Sequence, residues 1–300
     1  MKIKAFRLLP AILTGALLIS IAAACSSKTQ KDGTDEATCD ETEGKFTTDS
    51  VYYADSVAGT DGFSVIVKFG GQYPVGEESP VVDSIRLTIA QMLSTAPVDK
   101  FIPPSKSLLS NGQALVDSTG RAAMRDMQEE WDGSWGMENM CTFRPIFIND
   151  IVITYWFENY IYGGGAHGFS ANLARSYDRS TGRQFTWDEV IPGGMTPQLR
   201  ELILSGLWMQ YFNKDKDQTG NINDVLQLVD GKLELPSYAP QIMPHGIRFS
   251  YGEYEIAAYC WGEPSCLIPY SSLKPFLSKK MQSVADKNTA DVVKDRQPGK

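Results

Sequence analysis

Apolar and polar residues alternate at Phe63, Val65, Val67 and Phe69, and a period of two predicts a half-buried strand over 63–69. After Ser79-Pro80 the period changes: Val81, Val82, Ile85, Ile89, Met92 and Leu93 recur at helical spacing. Ser79 as N-cap and proline at the first helical position fix where that helix starts. Phe101 to Pro104 breaks the pattern, and a second helix is expected over 122–131 with Ala123, Met127 and Trp131 on one side. Strands follow at 143–148 and 151–159 around an Asn149-Asp150 turn, then at 171–177 and 183–187 around the turn-forming loop 178–182. Thr196-Pro197 opens a third helix whose face is Leu199, Leu202, Ile203, Leu207 and Tyr211. Short strands are expected at 247–251, 254–259 and 266–269. Strands and helices in blocks, without regular alternation, predict an α+β fold of antiparallel sheets with a few packed helices.

The first residues follow a different pattern. Lys2, Lys4 and Arg7 precede an apolar stretch from Leu8 to Ile21, too short for a comfortable membrane span, and Ala22, Ala23 and Ala24 lead into Cys25. This resembles a bacterial lipoprotein signal, cut before a cysteine that becomes acylated and ties the chain to a bilayer. Residues 1–24 are therefore expected to be a signal peptide. Residues 25–45 contain no large apolar side chain and are expected to be a flexible tether. The rest divides into a module over 46–160, a second over 161–278 and a frayed polar tail over 279–300.

Composition adds exclusions. The net charge of −8 falls to −11 once residues 1–24, with Lys2, Lys4, Arg7 and no acid, are removed. Such a surface disfavours nucleic acid and favours basic protein partners. Two histidines leave little material for a multi-His metal site, and no cofactor motif is present.

Tyr162-Gly-Gly-Gly-Ala-His167-Gly168 is the most unusual stretch, since clustered glycines mark backbone that needs positive φ or close approach. It lacks the lysine of a phosphate-binding loop and the Gly-x-Gly-x-x-Gly spacing. His167 could be a catalytic base with Asp178 or Glu255 nearby, or a scaffold residue that bonds backbone. Asp215, Asp217, Thr219 and Gly220 have the opening spacing of a calcium loop, but Leu226 stands where the bidentate glutamate belongs, which favours a polar turn. Trp135 and Trp261, each beside glycine, are the tryptophans best suited to a saccharide or protein contact.

Tyr162 to His167, Ser176-Tyr177-Asp178, Trp187-Asp188-Glu189-Val190, Gly246 to Tyr251, Tyr254 to Tyr259 and Ile268-Pro269-Tyr270 together resemble the C-terminal domain of RsiV-type proteins. The preceding residues are similar in layout to the deacetylase-associated module that often comes before it. The resemblance implies an extracytoplasmic binding or sensing domain; the family's best-understood members bind animal-type lysozyme. A lipid-anchored chain has no cytosolic segment, so only the binding half of that function carries over. Tyr162, His167, Tyr254, Glu255 and Tyr259 are the binding residues expected on this basis.

With Cys25 acylated, four cysteines remain, and Cys260 and Cys266 flank a turn-rich loop whose ends could meet. They are expected to pair, as are Cys39 and Cys141. The sequence thus points to a bilayer-tethered envelope lipoprotein, the outer membrane favoured over the inner. Its binding domain would take a basic protein such as lysozyme or a peptidoglycan fragment. The alternatives are an envelope-glycan enzyme and a purely structural envelope protein.

Overall fold

The computed structural model describes residues 46–59, 61–76, 78–213 and 220–295. Strands β1 (Thr47–Ala58), β2 (Ser64–Val75), β3 (Met137–Ile148), β4 (Val152–Tyr162) and β5 (Phe169–Asp178) form one sheet in that order. All neighbours are antiparallel except β2 and β3. The parallel pair needs a long crossover, and helices α1 (Pro80–Leu93), α2 (Lys106–Leu109) and α3 (Gly112–Glu130) supply it. A second sheet holds β6 (Gln241–Met243), β7 (Gly246–Ser250) and β8 (Ser265–Pro269). Helices α4 (Trp187–Val190), α5 (Pro197–Leu207), α6 (Tyr270–Leu273) and α7 (Lys279–Asp295) complete the α+β architecture.

The helix starts are chemical. Ser79 Oγ accepts from the Val82 amide, and Pro80 fills the first turn of α1. Thr196 and Pro197 repeat the device at α5, which runs on as a π-helical turn over Trp208–Phe212. Helix α3 begins ten residues before the expected 122 because Asn111 caps it. The Tyr73 and Tyr53 rings lie where side chains at Gly112 and Gly120 would stand, so glycine is the residue that lets the helix approach the sheet.

One sheet serves two cores. Ile153, Tyr155 and Phe157 of β4 face α1 and α3, beside Val67, Phe69, Ile85, Ile89 and Leu115. On the opposite face Phe147 and Val152 join Leu199, Ile203, Ile247, Phe249 and Leu273. In β3 the side switches partway: Cys141 and Phe143 face the first core, Phe147 the second. A bulge between Pro145 and Phe147 causes this, since one extra residue inverts every later side chain. The sheet also continues across the division expected at 160/161, where β4 and β5 pair from Val152↔Asp178 to Ile161↔Phe169.

The two layers are joined by hydroxyls. Thr154 and Ser176, opposite each other on β4 and β5, are both fully buried. Thr154 Oγ1 donates to Ile242 O at 2.7 Å, Ser176 Oγ accepts from Ile242 N at 2.8 Å, and the hydroxyls lie 2.9 Å apart. Strand β6 is thus seated by a closed polar relay.

Three expectations are corrected. Residues 183–187 form one bridge, Tyr177↔Gln184, before the Thr186/Glu189 capping box starts α4. Residues 254–259 form a loop, because Tyr254 takes φ 60° and the Glu255 side chain folds back onto the Gly252 amide. The tail beyond 279 is helix α7, whose Met281, Val284 and Ala285 are buried in the second core.

Candidate functional site

The glycine loop joins β4 to β5 at the end of the sheet where β1 finishes. Gly164 has φ +91°, and the Trp135 indole lies 2.6 Å from where its Cβ would be. Both facts exclude a side chain at that position. Gly168 is backed as closely by the Tyr160 ring, and Tyr162 Oη donates to Gly165 O at 2.9 Å, closing the loop on itself. Trp135, 48 % exposed, is held in turn by its carbonyl, which accepts from Trp131 Nε1 at 2.6 Å.

On the loop's other side His167 meets Tyr259 at 5.3 Å between ring centroids, and Tyr259 stacks on Tyr254 at 5.8 Å. Three of the five binding residues expected from the sequence, His167 and, more than 80 positions later, Tyr254 and Tyr259, are therefore in one column of rings. Tyr254 ends that column with 60 % of its surface exposed and a left-handed backbone. A bulky residue at positive φ is costly, and such strain persists where surrounding contacts enforce it.

Glu255 supplies those contacts. Its carboxylate accepts from Ser237 N (2.7 Å), Ser237 Oγ (2.8 Å) and Gly252 N (2.7 Å), so it holds the loop's shape. Glu263 anchors the far end, accepting from Tyr238 Oη at 3.2 Å and from the Asn172 amide of β5 at 3.5 Å. Burial pushes its carboxyl up, and those two donors only partly offset the effect. Neither Glu263 nor Asn172 is announced by any spacing in the sequence.

The catalytic pairings of His167 are not formed. Asp178 sits at the opposite end of β5, about 30 Å of strand from the loop. It is bound to Lys280, Ser180 and the Thr181 amide. Burial alone would raise its carboxyl, but these hydrogen bonds and the Lys280 charge outweigh it and hold Asp178 down at about 2. Glu255 is committed to Ser237 and Gly252. His167 itself reaches only Gly168 O, at 3.4 Å through Nδ1, among the described residues.

Cys260 and Cys266 are not joined, which corrects the disulfide expectation. The Cys266 thiol points into the core toward Ile203 O of α5, and burial pushes it up to about 12. Cys260 is exposed on a 3₁₀ turn. Cys141 is fully buried on β3, and Cys39 lies outside the described residues, as do Cys25, the expected signal peptide and the tether. Trp261 packs edge-on against Phe212 at 5.2 Å and lies half-buried against the second core. Asp215, Asp217 and Thr219 of the calcium-like spacing lie outside the described residues; among the described ones that follow, Asn221 and Asp224 cap a 3₁₀ turn. Among the described residues no group of three His, Cys, Asp or Glu side chains could hold a metal ion, and no helix is long and apolar enough to cross a membrane.

No family model matches the chain, and no curated protein does. Solved structures do. A member of the DUF3298 family from Bacteroides fragilis matches with a TM-score of 0.59 at 18% identity, over 82% of this chain and 98% of that one. A DUF3298 family protein from Pseudomonas aeruginosa matches with a TM-score of 0.52 at 15% identity, over 78% and 96%. The chain shares the fold of these bacterial proteins.

Proposed function

We propose that this protein is a lipid-anchored envelope protein whose folded part binds a basic protein partner, with a lysozyme as the first candidate and a peptidoglycan fragment as the second. The observation that carries the reading is the exposed Tyr254–Tyr259–His167 column at an end of the molecule where acidic side chains outnumber cationic ones. The segments 55–59, 61–63, 128–142, 158–172 and 252–268 at this end contain no lysine or arginine, and Lys232 lines a pocket beside them with Glu255 and Ile256. They do contain Asp61, Glu130, Asp132 and Glu138. Arginine and lysine side chains of a partner gain from ring faces and from neighbouring carboxylates together.

A tether attached before Phe46 would leave from the far end of β1, roughly 36 Å from this surface. The surface would then face away from the bilayer, where soluble envelope proteins can reach it. Calorimetric titration of the chain from residue 25 onward, with a C-type lysozyme and separately with a soluble peptidoglycan fragment, tests the proposal. Saturable one-to-one lysozyme binding that weakens as salt is raised supports it. Binding of the fragment alone moves the ligand to the cell wall, and heat from neither removes both named partners.

A further inference from the structure

Trp156 on β4 is surrounded by charges that the rest of the fold does not use. The Arg248 guanidinium of β7 lies 5.3 Å from its ring centroid. Arg144 of β3 is its cross-strand partner, so the two side chains share a face of the sheet with Cβ atoms about 5 Å apart. Among the described residues neither guanidinium has an ion pair or hydrogen bond, in a chain whose acids outnumber its bases. The Glu158 carboxylate accepts from Trp156 Nε1 (2.9 Å) and Thr142 Oγ1 (3.2 Å). Two arginines thus stand beside a glutamate that is already bonded to Trp156 and Thr142.

A second, independent feature lies beside it. Gln241 is the register partner of Arg248, and the two side chains share the face of the small sheet turned away from Ile242, Ile247 and the second core. Gln241 is 1 % exposed, yet neither its amide oxygen nor its amide nitrogen has a hydrogen-bond partner. An unmet buried amide costs roughly 1–3 kcal/mol. Burial also holds the Arg248 guanidinium below its ordinary value, as expected of a charge without a counter-ion.

We infer that Arg248, Arg144, Gln241 and Trp156 form a binding site for a monocarboxylate carried on a sugar ring. A guanidinium offers two parallel N–H donors that match a carboxylate. The Gln241 amide has the donor and acceptor that a neighbouring sugar hydroxyl needs, and the Trp156 ring supplies an apolar face for the pyranose. A monoanion suits the site better than phosphate, whose second charge would meet the Glu158 carboxylate beside Trp156. The site uses none of the residues of the Tyr254–Tyr259–His167 column and does not depend on the function proposed for it.

The test is titration of the purified chain with D-glucuronate, glucose and inorganic phosphate, read at the Trp156 indole N–H resonance. Saturable movement with glucuronate and none with glucose is expected. Arg248→Gln should weaken binding about 10-fold or more and Arg144→Gln about 3-fold. Arg144 is exposed, so its variant keeps the fold and carries the test should Arg248→Gln unfold. Glucose moving the resonance as far, phosphate binding as tightly, no saturation at all, or glucuronate binding unchanged in Arg144→Gln and in folded Arg248→Gln would each overturn the assignment.

Discussion

On one face of the five-stranded sheet, α1 and α3 press Ile85, Ile89 and Leu115 against Val67 and Phe69, and the polar bonds between the layers, Tyr177 Oη to Thr88 Oγ1 and Arg86 Nε to Pro74 O, join regular elements. On the other face, Phe249, Ile247 and Ile203 form an equally apolar core, but its edges are fixed by single polar groups: Thr154 and Ser176 on β6, Asp178 on α7, Glu255 and Glu263 on the loop between β7 and β8. The difference explains where the candidate surface lies. The first face has little to reposition, whereas the second holds a loop whose geometry is set by carboxylates and can place Tyr254 in a costly conformation.

Because the cores share a sheet, they should stand or fall together. Ile85→Ala in the first and Phe249→Ala in the second should each cost about 3–5 kcal/mol. Both should shift one common denaturation transition, and two transitions, each moved by one variant, would break the comparison. The polar relay comes next. Thr154→Val keeps the volume but leaves Ile242 O without its donor, and should cost about 2 kcal/mol by the same denaturation measurement.

Asp178 gives the polar face a pH dependence. Its folded value, held to about 2, is below the unfolded value near 4, so its stabilisation is present above pH 4 and is lost as pH falls toward 2. The loss should be roughly 2 kcal/mol and should vanish in Asp178→Asn, as denaturation curves taken across that range would reveal. The smallest effect is expected at the cysteines. In the native chain Cys260 should react with a thiol reagent while Cys141 and Cys266 stay protected, and Cys260→Ser should change stability by less than about 0.5 kcal/mol.

Where packing alone decides, the sequence is readable: the face of α1 from Val81 to Leu93, and the strand through Val65, Val67 and Phe69, follow from periodicity and a Ser-Pro start. Residues 254–259, apolar or aromatic apart from Glu255, read as a strand and yet form a loop. Glu255 caps Gly252 and Ser237 there, and no local pattern encodes a partner 18 residues away. Helix α7 reads as a polar tail because its buried stripe, Met281, Val284 and Ala285, is narrow. The candidate surface was partly legible: the glycine loop marks itself, and Tyr254, Tyr259 and His167 do meet. Trp156 and Arg248 were not, since their juxtaposition depends on how two sheets stack.

The most direct test of the account is the lysozyme titration repeated with Tyr254→Ala/Tyr259→Ala. Tyr254 is exposed and the column lies outside both cores, so the variant should keep its denaturation midpoint. The account predicts salt-sensitive binding by the parent chain that falls at least ~10-fold in the double variant. A parent chain that does not bind, or a folded double variant that binds as tightly, would contradict it.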